Sequence, residues 1–455
     1  SPLLSGALAL GAGTVQAADV FLCAGAFNKT MDSDGVVIPM WGFAQVATLG
    51  ELVAGCSSDA TKPPPTVPGP MLTNQDTGTG LVIHLFNDGL PENISIVIPG
   101  QNATASRTPQ YFVDGQGRRR VRAFTNEATP GGAVAVYGWT TLKAGTFMYQ
   151  SGSHSALQVQ MGLYGGLTQD SGITEAYPGK TYSSSVNLFY SEIDPVLHNT
   201  VAAGNYSQTP GPGLTTSTID YNPRYFLLNG TDVPVHSTTT GGGATLVRFF
   251  NAGYQNHVPV FMGLTMDMIA EDGNPYNYIK KQYSVLLAAG QTADAMITPA
   301  AGSYSFFDRM LNLTNKTQGG ATVLALAANT TANTTKQTPG SLVSVLLVND
   351  PTSDLDGDGV IDSQDNCTFA KNAGQQDSDN DGFGNMCDGD LDGKGTVVDF
   401  VDYAIFGASY GAVNGDANFK AAADFNSDGK VDFVDYSIFS GMYNKAPGPA
   451  GVVPL

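Results

Sequence analysis

Positive charge is scarce in this sequence: 21 Lys and Arg stand against 40 Asp and Glu, a net of -19. An acidic chain of this kind argues against a nucleic-acid partner, whose phosphates it would repel. Charge of either sign is thin, at 13% of residues, and histidine is rarer still, with five in all. There is no H-E-x-x-H pair and no phosphate-binding glycine loop, which removes the helical zinc-peptidase and P-loop readings. No apolar run is long enough to cross a bilayer as a helix. Only four cysteines occur, Cys23, Cys56, Cys367 and Cys387, well separated and without a C-x-x-C pair. An even number of that kind suggests two disulfides formed outside the cytoplasm, and sequence order favours Cys23 with Cys56 and Cys367 with Cys387.

What the chain does have is a block of aspartates. Residues 354–440 hold 18 Asp and 4 Lys with no Glu or Arg, and so carry 14 of the 19 net negative charges. Carboxylates at alternate positions, a glycine for the turn and a closing carboxylate surround one hard cation with oxygens, which points to calcium. The first loop offers Asp354, Asp356, Asp358, the carbonyl of Val360, Asp362 and Asp365. The second offers Asp377, Asp379, Asp381 and Asp388. The third has two registers: Asp388, Asp390 and Asp392 closed by Asp399, or closure by Asp402, as the repeat of DFVDY at 399–403 and 432–436 suggests. The fourth offers Asp424, Asn426, Asp428, the carbonyl of Lys430, Asp432 and Asp435. Without cations, so dense a block would repel itself apart; four calcium ions would bring it to about -6.

The first two loops, with DNC at 365–367 and CD at 387–388, resemble a thrombospondin type 3 repeat, which also implies the Cys367–Cys387 pairing. The next two, each followed by an aromatic helix seed (YAIFGASY, YSIFSGMY), resemble a dockerin type I pair, which implies a cohesin-type partner. Tyr, Phe and Ile stand where cellulosomal dockerins usually show Leu with Lys or Arg.

Residues 1–19 look like the apolar core and cleavage site of a secretory signal, or alternatively an assembly arm. Short β-branched runs between Gly, Pro, Asn and Thr clusters then make the bulk of the chain all-β. The stretches VPGPMLTNQDTGTGLVIHLFNDGLPENISIVIPGQ (67–101) and GTFMYQSGSHSALQVQMGLYGGL (145–167) resemble a first multicopper-oxidase cupredoxin domain, the latter read as a closing strand pair. VNLFYSEIDP, YNPRYFLLNGTDVPV, GGATLVRFFNAGYQNHVPVFMG and AAGSYSFFDRMLNLTN resemble the second. The expected fold is therefore mainly β: two cupredoxin-like Greek-key β-sandwiches, 20–175 and 176–350, then a calcium-loop module with short EF-hand-like helices. Within it, 351–388 is the thrombospondin-like repeat, 389–445 the dockerin-like pair and 446–455 a flexible tail, whose VVPL end is similar to the start of VPEP-type sorting signals. The Thr/Ala/Asn-rich interval 325–342 reads as a solvated loop before a strand at 342–348.

The copper oxidases hold four coppers with about ten histidines and one cysteine, because imidazole and thiolate suit that ion. Here the resemblance puts Val97, Pro99, Gln150 and Gly152 at ligand positions, with His154 displaced by two. In the second domain only His257 stands where a ligand histidine would, with Val260 and Met262 at the companion positions. A four-copper centre is excluded on this count, leaving at most one copper at His257 and Met262. Asp114, Glu127, Glu192 and Asp194 read as solvated carboxylates. Arg118, Arg119, Arg120 and Arg122 form a basic cluster on a hairpin, either plainly solvated or facing the acidic block of a neighbouring copy. Ten N-x-S/T sequons, Asn28 to Asn366, mark an Asn/Thr-rich surface. The expected function is that of a secreted, non-enzymatic protein that self-assembles with calcium into an extracellular fibre, surface layer or matrix. The alternatives are an adaptor docking a cohesin-type partner and a residual single-copper oxidase.

Overall fold

The computed structural model describes residues 18–56, 62–74, 80–105, 107–206, 217–219, 221–318, 335–349, 354, 356–361, 364–379, 382–393 and 397–445. The signal-like segment to residue 17, the tail from 446, Asp362 and Asp381 lie outside them. Two compact units divide the chain, Ser1–Val348 and Asn349–Leu455, with the change falling two residues before the Asp350–Pro351 pair.

The first unit opens with a sandwich. One sheet is ordered Val37–Val46, Ala18–Thr30, Leu81–Asn87, Ala135–Trp139; the other is Gly69–Asn74, Tyr164–Gln169, Gly145–Gln150. The strand Ala18–Thr30 pairs antiparallel with Val37–Val46 and parallel with Leu81–Asn87. Alternation sets the faces: Leu81, Ile83 and Leu85 point into the core while His84 faces outward to Asp19. Leu22, Ile83 and Tyr137 from one sheet meet Leu72, Phe147 and Leu167 from the other, the packing that holds a β-sandwich together.

A second sandwich follows. Its six-stranded sheet runs Tyr225–Leu228, Ser184–Ile193, Thr245–Asn251, Thr292–Ile297, Met266–Glu271, Asn274–Gln282. Its four-stranded sheet runs His236–Thr240, Val343–Asn349, Gly302–Asp308, Pro259–Phe261. A third apolar cluster joins the two sandwiches, packing Ile38, Met40, Met148 and Tyr164 against Phe189, Tyr225 and Phe250. Beside it Arg248, 3% exposed, pairs with Asp170 and donates to Thr146 Oγ1 at 3.0 Å. Thr146 and Tyr177 in turn donate to the buried Asp294.

Helices occur in the body where alternation gave only strands. Ser155–Met161 sits between the strands of the expected closing pair, and Pro195–Ala202 follows Ile193. The second had a local signal: Asp194 accepts from Val196 and Leu197 N–H, with Pro195 in the first turn. The expected loop at 325–342 is corrected for its described part. Thr335–Pro339 is a strand paired antiparallel with Thr314–Gln318, because a polar run can pair along its backbone as readily as it can loop.

The second unit is small. Leu391, Val398, Phe406, Ala423, Phe425, Val431, Phe439 and Met442 make its core, and two helices, Phe400–Ser409 and Phe433–Met442, frame it. Disulfides join Cys23 to Cys56 in the first unit and Cys367 to Cys387 in the second.

Candidate functional site

The aspartate loops fold around their own backbone. In the first, Asp354 accepts from the N–H groups of Gly357 at 2.8 Å and Gly359 at 2.9 Å. Asp356 accepts from Asp358 N–H and Asp358 from Val360 N–H. Gly359, Gly382, Gly393 and Gly429 take φ of +95°, +99°, +63° and +86°, a region that favours glycine and explains its place in each loop. Oxygens of Asp354, Asp356 and Asp358 all lie within 4.8 Å of one another.

Like charges so close need a counter-charge. Asp365, 8% exposed, spends Oδ1 on Cys367 N–H and Gln375, yet its Oδ2, like Asp356 Oδ2, has no hydrogen-bond partner among the described residues. Buried polar atoms are rarely left so. Burial, together with Asp358, Asp365 and Asp354 nearby, raises the Asp356 carboxyl above its ordinary range. A hard cation with oxygen ligands fits this donor set.

In the second loop Asp377 accepts from Gly382 N–H at 3.1 Å, while Asp388 accepts from Asp390 N–H at 2.9 Å, so Asp388 is tied to the start of the third loop. Asp379 makes contacts of its own.

The third loop takes one of its two registers. Asp402 joins Asp390 and Asp392 within 4.8 Å, accepting from Asp392 N–H at 3.1 Å and Asp399 N–H at 2.8 Å. Asp399 instead caps the helix Phe400–Ser409, accepting from Val401 N–H. The fourth loop repeats this arrangement. Asp435 accepts from Asn426 and Asp432 N–H, Asp432 caps Phe433–Met442 through Val434 N–H, and Asp424 accepts from Gly429 N–H at 2.8 Å. Asn426 and Asp428 turn their Oδ1 atoms onto the N–H groups of Asp428 and Lys430. Each closing aspartate therefore also completes a capping box, joining loop to helix.

The helices divide their aromatics. Phe406 and Phe439 stack at 5.1 Å in the core. Phe400 is 69% and Phe433 70% exposed, and Val401, Tyr403, Val434 and Tyr436 are exposed beside them. The letters G-x-S-x-G also occur here, at Gly407–Gly411. Ser409 ends a helix, is buried and donates to Asn418 C=O at 2.8 Å, so it lacks the strand-to-helix elbow a nucleophile needs.

In the body, the positions matching copper ligands are brought together but carry the wrong atoms. Val97 and Gln150 exchange backbone hydrogen bonds of 2.9 and 3.0 Å, and a side chain begun at Gly152 would meet Val97 Cγ1 at 2.6 Å. An isopropyl group thus fills the space of an imidazole, and these residues do not fit a multicopper centre. His257 is fully buried with Nε2 2.7 Å from Glu192 and Nδ1 2.9 Å from Asp308, while Met262 is 55% exposed. Burial opposes its charge, but the Asp308 and Glu192 hydrogen bonds outweigh that and push its pKa up to about 9. Both ring nitrogens are occupied by carboxylates that stand 51 and 65 positions away in sequence.

The reading of four solvated carboxylates is corrected as well. Glu192 and Asp194 are buried, and Glu127 keeps a side chain 5% exposed that pairs with Arg122; only Asp114 stays on the surface strand end, shared by Arg118 and Arg120 at 2.9 Å each. Nothing near Glu192 and Asp194 in sequence announces their distant partners, Tyr254 N–H and His257 for the first and Asn222 N–H for the second.

No protein-family description matches the chain. Thrombospondin-3a of Danio rerio is 59% identical over 32 residues, 7% of this chain and only 3% of that protein. Solved structures share the body's fold. A multi-copper oxidase from Pseudomonas thermotolerans is 17% identical, covering 75% of this chain and 65% of its own length at a TM-score of 0.50. The multicopper oxidase mgLAC is 18% identical over 77% of this chain and 92% of that one, and a blue copper oxidase from Nitrosomonas europaea 15% over 80% and 95%, each at 0.50. The chain spans less than two thirds of the first of these structures. The expectation of a non-enzymatic protein is withdrawn: the structures that share this fold are oxidases, and a fold by itself does not decide activity. At these identities the likeness establishes the fold: a mainly β body of two cupredoxin-like domains built as in multicopper oxidases.

Proposed function

We propose that this chain is a secreted, extracellular protein whose C-terminal module binds about four calcium ions and, folded by them, docks another molecule. The finer likenesses belong to this reading: a thrombospondin type 3 repeat over the first two loops, a dockerin-type pair over the last two, and a cohesin-type protein as partner. Copper has no place in it, since neither His257 nor positions 97, 99, 150 and 152 offer a free imidazole. One observation carries the proposal. The two helices present the same exposed trio, Phe400, Val401 and Tyr403 on one and Phe433, Val434 and Tyr436 on the other, each beside an aspartate that closes a loop. Exposed apolar faces of this kind mark interaction sites, and calcium binding becomes folding energy for a module with so small a core.

Self-assembly into a fibre, surface layer or matrix is the second reading, and one feature favours it. The hairpin Gln110–Val113 with Arg119–Ala123 is exposed on both faces, and its arginines oppose the module in sign.

Light scattering and electron microscopy in millimolar calcium and in excess chelator test both. Large particles that form only with calcium and vanish in Arg118→Ser/Arg120→Ser support self-assembly. A monomer that folds its module with calcium and loses partner capture in Phe400→Ser/Phe433→Ser supports docking. A module indifferent to calcium removes both.

A further inference from the structure

The first sandwich contains a cavity that the calcium reading leaves unused. Its volume is about 480 Å³, inside the range of about 300–1,000 Å³ usual for small-molecule sites. The lining divides by chemistry. Phe112 and Val121, from the exposed hairpin, form an apolar wall, and Glu92, Asn93, Arg122, Glu127, His154 and Gln158 form a wall of planar polar groups.

The polar wall is held in place. Glu92 accepts from Gln158 Nε2 at 2.8 Å and stands 3.0 Å from His154 Nδ1. Glu127 accepts from Ser153 Oγ at 2.9 Å and pairs with Arg122. His154 has φ of 41° and ψ of 48°, a left-handed conformation that costs a non-glycine residue free energy and that clusters at functional sites. Neighbours fix it there: its N–H donates to Arg122 C=O, and its own carbonyl receives Leu157 and Gln158 N–H. The apolar wall is anchored to the same segment, since Phe124 N–H donates to Gly152 C=O and Ala123 bridges to Ser153.

The occupant follows from what this lining still offers. Both carboxylates are already engaged, Glu92 by His154 and Gln158 and Glu127 by Arg122 and Ser153, so a ligand meets hydrogen-bonding atoms more than open charge. Among the described residues His154 Nε2, Arg122 Nη1 and the Asn93 side-chain oxygen have no hydrogen-bond partner. That mixture of donors and acceptors suits hydroxyl groups, which can do both. A ligand with hydroxyls around its rim and a C–H face matches both walls at once. We propose that this cavity binds a saccharide, with a pyranose C–H face on Phe112 and the hydroxyl edge on Glu92, His154 and Arg122.

Titration calorimetry on the full calcium-loaded chain tests this, with lactose, maltose, cellobiose and N,N′-diacetylchitobiose as probes and tetramethylammonium as a cationic comparison. The expected result is saturable binding of at least one disaccharide, weakened about tenfold or more by Phe112→Ala and unchanged by Phe124→Ala. Phe112 and Phe124 are both exposed, so neither variant threatens folding. The proposal is overturned if none of the four sugars saturates, if both variants bind as the parent does, if both weaken binding equally, or if only tetramethylammonium binds.

Discussion

His257 Nε2 lies 2.7 Å from Oε1 of Glu192, with both side chains closed off from solvent. On its other side Nδ1 meets Asp308, so one imidazole joins two buried acids from different strands. Such a network stabilises only while the cation between the carboxylates is charged. The folded pKa of about 9 lies above the ordinary 6.5. The contribution is therefore complete below pH 6.5 and is lost as pH rises through about 9. Asp308 is shifted the other way, below its ordinary range: burial opposes this, but the His257 hydrogen bond outweighs it. Its share is present above that range and is lost as pH falls through the lowered value.

Urea unfolding followed by Trp41 and Trp139 fluorescence should show the body losing stability between pH 6.5 and 9.5. His257→Gln should cost on the order of 3–5 kcal/mol at pH 6, by leaving two buried carboxylates unpaired, and should flatten that decline. A parent profile that stays level across the window would remove the charged-imidazole reading.

The double role of Asp402 gives a sharper test of the third loop. Asp402→Asn should remove about one calcium per chain in elemental analysis of dialysed protein. Asp399→Asn keeps a capping oxygen for Val401 N–H and should leave the calcium count as it was. Equal loss in the two variants would mean that Asp399 is a ligand after all.

Asp365 has one buried oxygen without a partner among the described residues and another serving the Cys367 and Gln375 nitrogens. Asp365→Asn should lower calcium affinity at the first loop about tenfold or more while the other loops fill normally. Calorimetry with calcium checks this, and an unaltered isotherm would take Asp365 out of the ligand set.

Arg248 carries the seam of the two sandwiches. Arg248→Met keeps the stem but leaves Asp170 and Asp294 in the interior without their cation, at a cost of about 3–5 kcal/mol. The urea midpoint should fall accordingly, and an unchanged midpoint would show that the hydroxyls of Tyr182, Tyr177 and Thr146 satisfy those acids without it.

Much of this was open to reading because the signals were local. Strand alternation in Leu81–Asn87, the glycines at the loop turns and the repeated DFVDY each act within a dozen residues, and the fold keeps them as written. The third-loop register stayed open because Asp399 and Asp402 both suit a closing carboxylate until the helix start is placed. What could not be read was pairing at a distance. Glu192 meets His257 across 65 positions and Arg248 meets Asp170 across 78, and nothing near either end announces the other. The cavity beside His154 was hidden for the same reason, since its walls come from the segments around residues 92, 121, 127 and 154.

The first strand of the body is also an inner strand, bonded to Val37–Val46 on one side and to Leu81–Asn87 on the other. A polypeptide leaves the ribosome from its N-terminus, so the hairpin 18–46 exists before its parallel neighbour has been synthesised. During that interval its inner edge is open to any passing strand. Cys56 belongs to the same early stretch and is bonded to Cys23, so this covalent clasp closes within the hairpin's own segment and needs no residue of the later strand.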